Sequence, residues 1–258
     1  MQVTLVAHYG DKPRALSAVV RHLQGKLQEL LGPAFRAYEL EQVHGTIIGL
    51  EGCRAGPRVM NQHSRSPMNL HGALEFVRGP RFRPITVQIG GYDASVTYPF
   101  QSRNAHPYMR SFSIQRASAG DIAVAAGWPI ESGSYPNSLD RLRRAFQRYG
   151  LQHKWHRTED DVDNDFFFVL GTIDRSLTGA TALESTSHIV RAELAARGEM
   201  RIEIDRNTLQ LVGYSHPQLP RGTSCWFGLD APDLVARLEV LYPECQDGGK
   251  VQHRDVGR

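Results

Sequence analysis

The run from Gln42 to Leu50 constrains the fold of this chain most strongly. Most of its residues are apolar and β-branched, which is typical of a buried strand, and it also carries one histidine and one threonine. Successive side chains of a strand point to opposite faces, so His44 and Thr46 are expected to share one face. An imidazole beside a hydroxyl can bind and protonate a phosphate oxygen. The alternative is a core strand in which a backbone carbonyl satisfies the histidine.

The composition is that of an ordinary globular protein, with 258 residues, 41% hydrophobic and 22% charged. The net charge of +3 argues against a polyanion binder driven by bulk charge, but it permits a local basic site. No stretch of the sequence has the composition of a linker. We therefore predict one two-lobed domain over residues 1–245 and a polar C-terminal tail over residues 246–258.

The three cysteines, Cys53, Cys225 and Cys245, are far apart and include no C-x-x-C pair. This spacing argues against a disulfide framework and a structural zinc site, and it favours a reducing compartment. Residues 1–10 predict a first strand rather than a signal peptide. No run approaches the roughly 18 apolar residues of a membrane span. We expect a cytoplasmic protein that does not enter a membrane.

The two halves of the chain show the same order of elements. The first half predicts a strand at residues 3–9, a helix at 13–31 and the strand that carries His44. The second half predicts strand, helix and strand in the same order, and its last strand covers residues 165–171. Gly49 and Gly171 occupy matching positions in the two units. A duplicated unit of this kind predicts an α+β fold with a groove between the equivalent strands.

The motif His44-Gly45-Thr46-Ile47-Ile48-Gly49, set after a strand and a helix, resembles the two-histidine phosphoesterase superfamily. That superfamily includes the RNA ligase-like cyclic phosphodiesterases and 2′-5′ ligases. The resemblance covers most of the chain in topology, including the closing hairpin from Leu209 to Phe227, and is specific at one motif. It implies two pseudo-symmetric lobes, with antiparallel sheets that line a central groove and helices outside.

The family pattern is a histidine, any residue, then threonine or serine, once in each half of the chain. The resemblance implies that one histidine is a general base and the other a general acid, that the hydroxyls hold the phosphate, and that no metal or cofactor is needed. His44 is then the acid or base, and Thr46 is a phosphate contact. The implied ligand is a nucleotide or short RNA with a 2′,3′-cyclic phosphate, or an oligonucleotide with a 2′-5′ or cyclic linkage.

The second half departs from this pattern. Matching Gly171 to Gly49 places Phe166 at the position of His44 and Phe168 at that of Thr46. If these rings face the groove, the symmetric site is lost, and the protein binds or sequesters a nucleotide without hydrolysing it. If the register slips by one residue, Asp165 and Phe167 face the groove, and a carboxylate replaces the histidine. A scaffold without a ligand is the third hypothesis.

The segment from His153 to Thr158 is the best candidate for the missing partner. His156, with Thr158 on the same face of an extended segment, would replace the lost histidine, and His153 is the second choice. Trp155 could stack on a base. The alternative is a solvated loop. Asp165 could supply the second acid or base, or it could belong to a turn before the strand.

A basic, aromatic segment follows the first half of the chain. Arg103 and Arg110 could clamp phosphate oxygens with their forked donors. Tyr108 lies between them, and Ser111 and Ser113 are expected to share one strand face. The alternative is a surface loop followed by a half-buried strand.

A predicted helix near residues 137–149 carries several arginines, including Arg141, Arg143, Arg144 and Arg148. Its apolar stripe is formed by Leu139, Leu142 and Phe146. We expect the arginines to form a solvent-exposed outer face. A role in binding nucleic acid would require that face to adjoin the groove.

Overall fold

The computed structural model describes residues 1–117 and 120–245 and confirms the α+β class. The helices are α1 (Arg14–Leu31), α2 (Leu70–Arg78), α3 (Pro107–Ser111), α4 (Ser138–Ala145), α5 (Ala180–Ala196) and α6 (Leu234–Glu239). The strands are β1 (Gln2–Ala7), β2 (Phe35–Ala37), β3 (Gly45–Gly49), β4 (Gly52–Ala55), β5 (Arg58–Asn61), β6 (Ile85–Ile89), β7 (Phe112–Ala117), β8 (Gly120–Pro129), β9 (Phe166–Ile173), β10 (Met200–Ile204), β11 (Leu209–Tyr214) and β12 (Cys225–Gly228). The predicted tail over residues 246–258 lies outside the described residues.

Ten strands form one antiparallel sheet, in the order β10-β6-β8-β9-β3-β1-β11-β12, with β2 beside β9 and β7 beside β8. Strands β4 and β5 form a separate hairpin. Strands β3 and β9 meet at the pair of Gly45 and Phe168. The sheet therefore has a first half, β3-β1-β11-β12, and a second half, β10-β6-β8-β9. We expected separate sheets, but these two strands join the halves.

Helices α1, α2, α4, α5 and α6 contribute buried side chains to one face of this sheet, the core face. Leu16, Val20 and Leu23 belong to the buried stripe of α1, which begins after Pro13 and ends at Gly32 as predicted. Leu5 of β1 and Phe168 of β9 point to the same face, because both belong to the large apolar cluster that includes the stripe of α1. Burial of these side chains is the main stabilising contribution to the fold.

Loops cover the opposite face, which we call the loop face. In the first half, Leu219 from the segment between β11 and β12 packs on Val6. In the second half, Tyr98 and Phe100 from the segment between β6 and α3 pack on Trp128. Residues that face the loop side are therefore partly covered by the chain itself.

Two strand boundaries differ from the predicted ones and affect the site. Strand β3 begins at Gly45, because Leu40–Gln42 forms a 3-10 turn and His44 directly precedes the strand. The strand predicted from residue 110 begins at Phe112, because Pro107 starts the short helix α3. Ser111 therefore ends a helix, and the prediction that it shares a strand face with Ser113 is wrong.

Cys53 and Cys245 form a disulfide between residues 192 positions apart in the sequence. It ties β4 to the end of the described chain, beside the ion pair of Arg54 and Glu244. The expectation of unpaired cysteines is wrong, and the inference of a reducing compartment loses its support. Wide spacing excludes local pairing but not a pair that the fold brings together. Across the described ranges, no helix is both long and apolar enough to cross a membrane.

Candidate functional site

His44 is held by its own turn. Its Nδ1 lies 2.6 Å from the carbonyl oxygen of Gln42. Because a carbonyl oxygen can only accept, Nδ1 carries the proton and donates it, and Nε2 keeps its lone pair. Burial lowers the pKa of His44 to about 4, against the raising effect of the bond to Gln42 and with a smaller lowering by Lys12. At neutral pH the imidazole is an uncharged base with Nε2 available.

Thr46 lies on the loop face in the centre of the sheet. Its cross-strand partner in β1 is Val6, which packs with Tyr9 on that face. The ring of Tyr9 contacts that of His44 edge-on, with centroids 5.8 Å apart. His44 and Thr46 therefore lie on the same side of the sheet, even though His44 stands just outside the strand.

The strand register resolves which residues of β9 face this site. Phe166 and Phe168 are buried on the core face, and Phe166 packs so closely on Gly45 that a Cβ there would lie 2.1 Å from the ring. Phe167 instead packs with the aromatic residues of the loop face. Because Gly45 pairs with Phe168, the next pair places Thr46 beside Phe167. Two-fold symmetry about that pair then relates His44 to Asp165. Of the two registers considered, the one with the carboxylate occurs.

Asp165 is nevertheless engaged by several donors. Its carboxylate accepts hydrogen bonds from Ser102 Oγ at 2.8 Å, Trp128 Nε1 at 2.7 Å and Arg110 Nη2 at 3.1 Å. Arg103 Nε lies 3.7 Å from the same group. Asp165 is buried and anchors the segment before α3 to the sheet. It occupies the symmetric position of a histidine while its oxygens bind the protein itself.

The two arginines expected to clamp phosphate oxygens are paired with carboxylates. Besides its contact with Asp165, Arg103 places Nη2 3.5 Å from Asp163 Oδ1. Its guanidinium carbon also lies 4.6 Å from the centroid of the Trp155 ring, so this indole makes a cation–π contact with Arg103. Arg110 is bound to Asp165. The structure therefore brings Arg103, Arg110, Trp155 and Asp165 together as one ionic cluster.

The other residues of the basic segment have local partners. Tyr108 is buried within α3, and its carbonyl accepts a hydrogen bond from Ser111 Oγ at 2.8 Å. Ser113 Oγ accepts a hydrogen bond from Gln115 Nε2 at 2.8 Å. These contacts stabilise the junction of α3 and β7.

His153 and His156 are buried in a turn-rich segment, so the expected extended conformation is wrong. His153 Nε2 lies 2.6 Å from Asp163 Oδ2, and His156 Nε2 lies 2.8 Å from Asp140 Oδ1. Burial lowers the pKa of His153 to about 4 and lowers the pKa of His156 as well. The described contacts of both rings are with these aspartates and with each other, not with His44.

Thr158 does not share a strand face with His156. Its backbone nitrogen donates to Asp161 Oδ2 at 2.8 Å in an exposed turn. His156 and Thr158 line a separate cavity of about 320 Å³, together with Ser64 and Arg157.

Arg143 is a central residue that the sequence interpretation placed wrongly on an exposed face. It is fully buried. Its guanidinium donates to four backbone carbonyls, those of Thr46, Ile47, Asp163 and Asp165, at 2.8–3.1 Å. It thereby joins β3 to the segment before β9.

A sequence signal for this burial existed. Arg143 follows Leu139 by four positions, and Leu139, Leu142 and Phe146 are all buried on the apolar stripe. Position 143 therefore falls within that stripe and not on the outer face. Arg141, two positions earlier, is exposed as expected.

Within residues 1–117 and 120–245, no group of three or more histidine, cysteine, aspartate or glutamate side chains is arranged to hold a metal ion.

Comparisons with known proteins give a distant structural likeness. No protein-family model matches the sequence. No curated protein matches it either. The crystal structure of TT0787 of Thermus thermophilus aligns with a TM-score of 0.44 and 13% identity, over 89% of this chain and 96% of that chain. A likeness at this level assigns neither a family nor an activity to the chain.

Proposed function

We propose that this protein is a metal-independent phosphodiesterase-like protein that acts at His44 on a nucleotide or oligonucleotide. One observation carries the proposal. The bond from Nδ1 to Gln42 leaves the Nε2 lone pair of a neutral imidazole free on the loop face, the same side of the sheet as Thr46. The resemblance of the motif to the two-histidine phosphoesterases supports the same chemistry.

The proposed reaction with a 2′,3′-cyclic phosphate needs only water. Thr46 donates a hydrogen bond to a phosphate oxygen, and His44 Nε2 takes a proton from water as the water oxygen bonds to phosphorus. The bond from phosphorus to one ribose oxygen breaks, that oxygen takes a proton from solvent, and His44 Nε2 releases its proton to solvent. The product is a ribose phosphate monoester with one free hydroxyl.

The second candidate is a protein that binds or sequesters a nucleotide without turnover. Asp165 favours it, because this carboxylate stands at the symmetric position and is bound to Ser102, Trp128 and Arg110. A positioned general acid typically contributes about 10²–10⁴-fold in rate. A site that relies on His44 alone is expected to be correspondingly slower than a two-histidine site.

The test is turnover of 2′,3′-cyclic nucleotides, 2′-5′ oligoadenylate and cyclic dinucleotides in EDTA. His44→Ala and Thr46→Ala are compared with His188→Ala, which removes an exposed imidazole from α5. Turnover that is lost in His44→Ala and retained in His188→Ala supports the enzyme. Thermal stabilisation by a nucleotide that depends on His44, without turnover, supports the binding protein. Turnover that persists in His44→Ala contradicts the assignment of His44 as the base.

A further inference from the structure

An arginine between two aromatic rings lies on the same side of the sheet as His44. The Arg221 guanidinium carbon is 3.6 Å from the centroid of the Trp226 ring and 4.9 Å from that of the Tyr9 ring. Cation–π attraction holds it in this place. Tyr9 in turn contacts His44 edge-on, as described above. A fixed positive charge therefore stands one aromatic ring away from the proposed base.

Two buried polar atoms of this region have no hydrogen-bond partner among the described residues. They are Arg221 Nη1 and Ser224 Oγ. The Tyr9 hydroxyl donates to the carbonyl of Leu219 at 3.0 Å, and its oxygen faces Ser224 and Arg221, both of which oppose the rise that burial causes in the Tyr9 pKa. Nearly all buried polar atoms in folded proteins are paired, so two donors around Tyr9 that lack a partner at hydrogen-bond geometry leave capacity for a further acceptor.

Lys12 adds a second cation. Its Nζ donates to the carbonyl of Gly10 at 2.9 Å, and a Cβ at Gly10 would lie 3.4 Å from Arg221 Nη1. Gly10 therefore lies between the two cations. Gly10 has φ +87°, a conformation that favours glycine, so the chain can approach the guanidinium closely here.

Carboxylates from neighbouring segments also act on the titratable groups of this region. Burial lowers the pKa of Lys12 to about 8, Glu41 raises it, and Arg221 lowers it. The charge of Lys12 in turn lowers the pKa of His44 and of His8. Asp11 also raises the pKa of Lys12. Burial raises the pKa of Tyr9, and Glu39 raises it further.

No carboxylate in the part of the chain that the structure describes comes within 4.0 Å of the charged nitrogens of Lys12 or Arg221. Two neighbouring cations without an ion pair, in a partly buried place, are stabilised by a bound anion. An anion would also supply acceptors for the two unpaired polar atoms.

We propose that Lys12, Arg221 and Ser224 form a phosphate subsite beside His44. Arg221 Nη1 and the Ser224 hydroxyl donate to the phosphate oxygens, and Lys12 supplies charge. This ligand assignment rests on the proposed function. The ligand carries a further phosphate in addition to the phosphodiester at His44 and Thr46. It is an oligonucleotide or a 5′-phosphorylated nucleotide.

Inorganic phosphate tests the subsite without any turnover. Thermal shift titrations of Arg221→Gln and Lys12→Gln are compared with Arg36→Gln and Lys26→Gln, which remove cations from β2 and from the outer side of α1. We expect phosphate to bind at least about fivefold more weakly to the first pair, and equally to the controls and wild type. Arg221→Lys keeps the charge and replaces Arg221→Gln in the titration if the latter does not fold. Equal binding by wild type and all Arg221 and Lys12 variants overturns the subsite.

A matched pair of nucleotides tests the ligand class. Adenosine 2′,3′-cyclic phosphate is compared with the same molecule carrying a 5′-phosphate. Wild type is expected to bind the second about tenfold more tightly, and Arg221→Gln is expected to bind both equally. Equal binding by wild type overturns the ligand class. If neither nucleotide binds but inorganic phosphate binds in an Arg221-dependent manner, the subsite stands and the proposed function fails.

Discussion

Replacing Arg143 by methionine tests how the two halves of the sheet are held together. The arginine donates to the carbonyls of Thr46 and Ile47 in β3 and to those of Asp163 and Asp165 before β9. Its Nη1 also lies 3.3 Å from Asp163 Oδ2. Burial alone would raise the pKa of Asp163, but Arg143 and His153 outweigh it and hold that pKa well below its usual range. Methionine preserves most of the volume and removes all of these donors.

The expected loss of stability is large. Removing one partner of a buried ion pair costs about 3–5 kcal/mol, because the other charge stays buried. Each buried acceptor left without a donor adds a penalty of about 1–3 kcal/mol, which relaxation and water entry reduce. We expect Arg143→Met to lower the free energy of unfolding by at least about 4 kcal/mol, which is a large share of the roughly 5–15 kcal/mol of a typical domain. Arg143→Lys is expected to lose about 2–3 kcal/mol, since one ammonium cannot reach four carbonyls.

Urea unfolding at neutral pH, followed by fluorescence and circular dichroism, measures this loss. Arg141→Met is the matched control, because Arg141 is exposed on the same helix and contacts only Ser138 Oγ, at 3.3 Å, among the described side-chain partners. It is expected to change stability by less than about 0.5 kcal/mol. A loss in Arg143→Met that does not exceed that of Arg141→Met would refute the reasoning.

Two further predictions concern pH and reduction. Burial lowers the pKa values of His8, His44 and His153 to about 4, so between about pH 6.5 and 4 the unfolded chain takes up protons that the folded protein does not. Stability is expected to fall as the pH drops through that window, by about 1.4 kcal/mol per pH unit for each such histidine, as urea midpoints at several pH values will show. Equal midpoints at pH 7 and 5 would contradict this. Reduction of the Cys53–Cys245 disulfide is expected to cost about 2–5 kcal/mol, measured as unfolding with and without dithiothreitol. The response to dithiothreitol should vanish in Cys245→Ser. A wild-type urea midpoint that dithiothreitol leaves unchanged would contradict the predicted cost of reduction.

The elements of the fold could be predicted because their signals are local. The apolar stripe of α1 and its stop at Gly32 come from helical periodicity within one segment. Strand β9 is marked by its continuous apolar run. Strand β2 and the hairpin of β4 and β5 were missed, because they are short and their pairing partners decide whether they form.

The site could be predicted only where it depends on neighbours in sequence. The motif indicated His44 and Thr46 as candidates, but the bond that frees Nε2 depends on the turn that brings the Gln42 carbonyl to Nδ1. The engagement of Asp165 depends on Ser102 and Trp128, which lie tens of residues away along the chain. A shift of one residue in the pairing of β9 would turn its other face toward the site, and local sequence does not fix that register.

The most direct measurement is a nitrogen-15 NMR titration of the His44 imidazole, assigned with His44→Ala, with and without 2′,3′-cyclic AMP. The account predicts a proton on Nδ1, a free Nε2 and a pKa near 4 in the free protein. It also predicts that the Nε2 resonance moves when the nucleotide binds. A proton on Nε2, or a His44 spectrum unchanged at saturating nucleotide, would contradict the claim that this histidine is the reactive group.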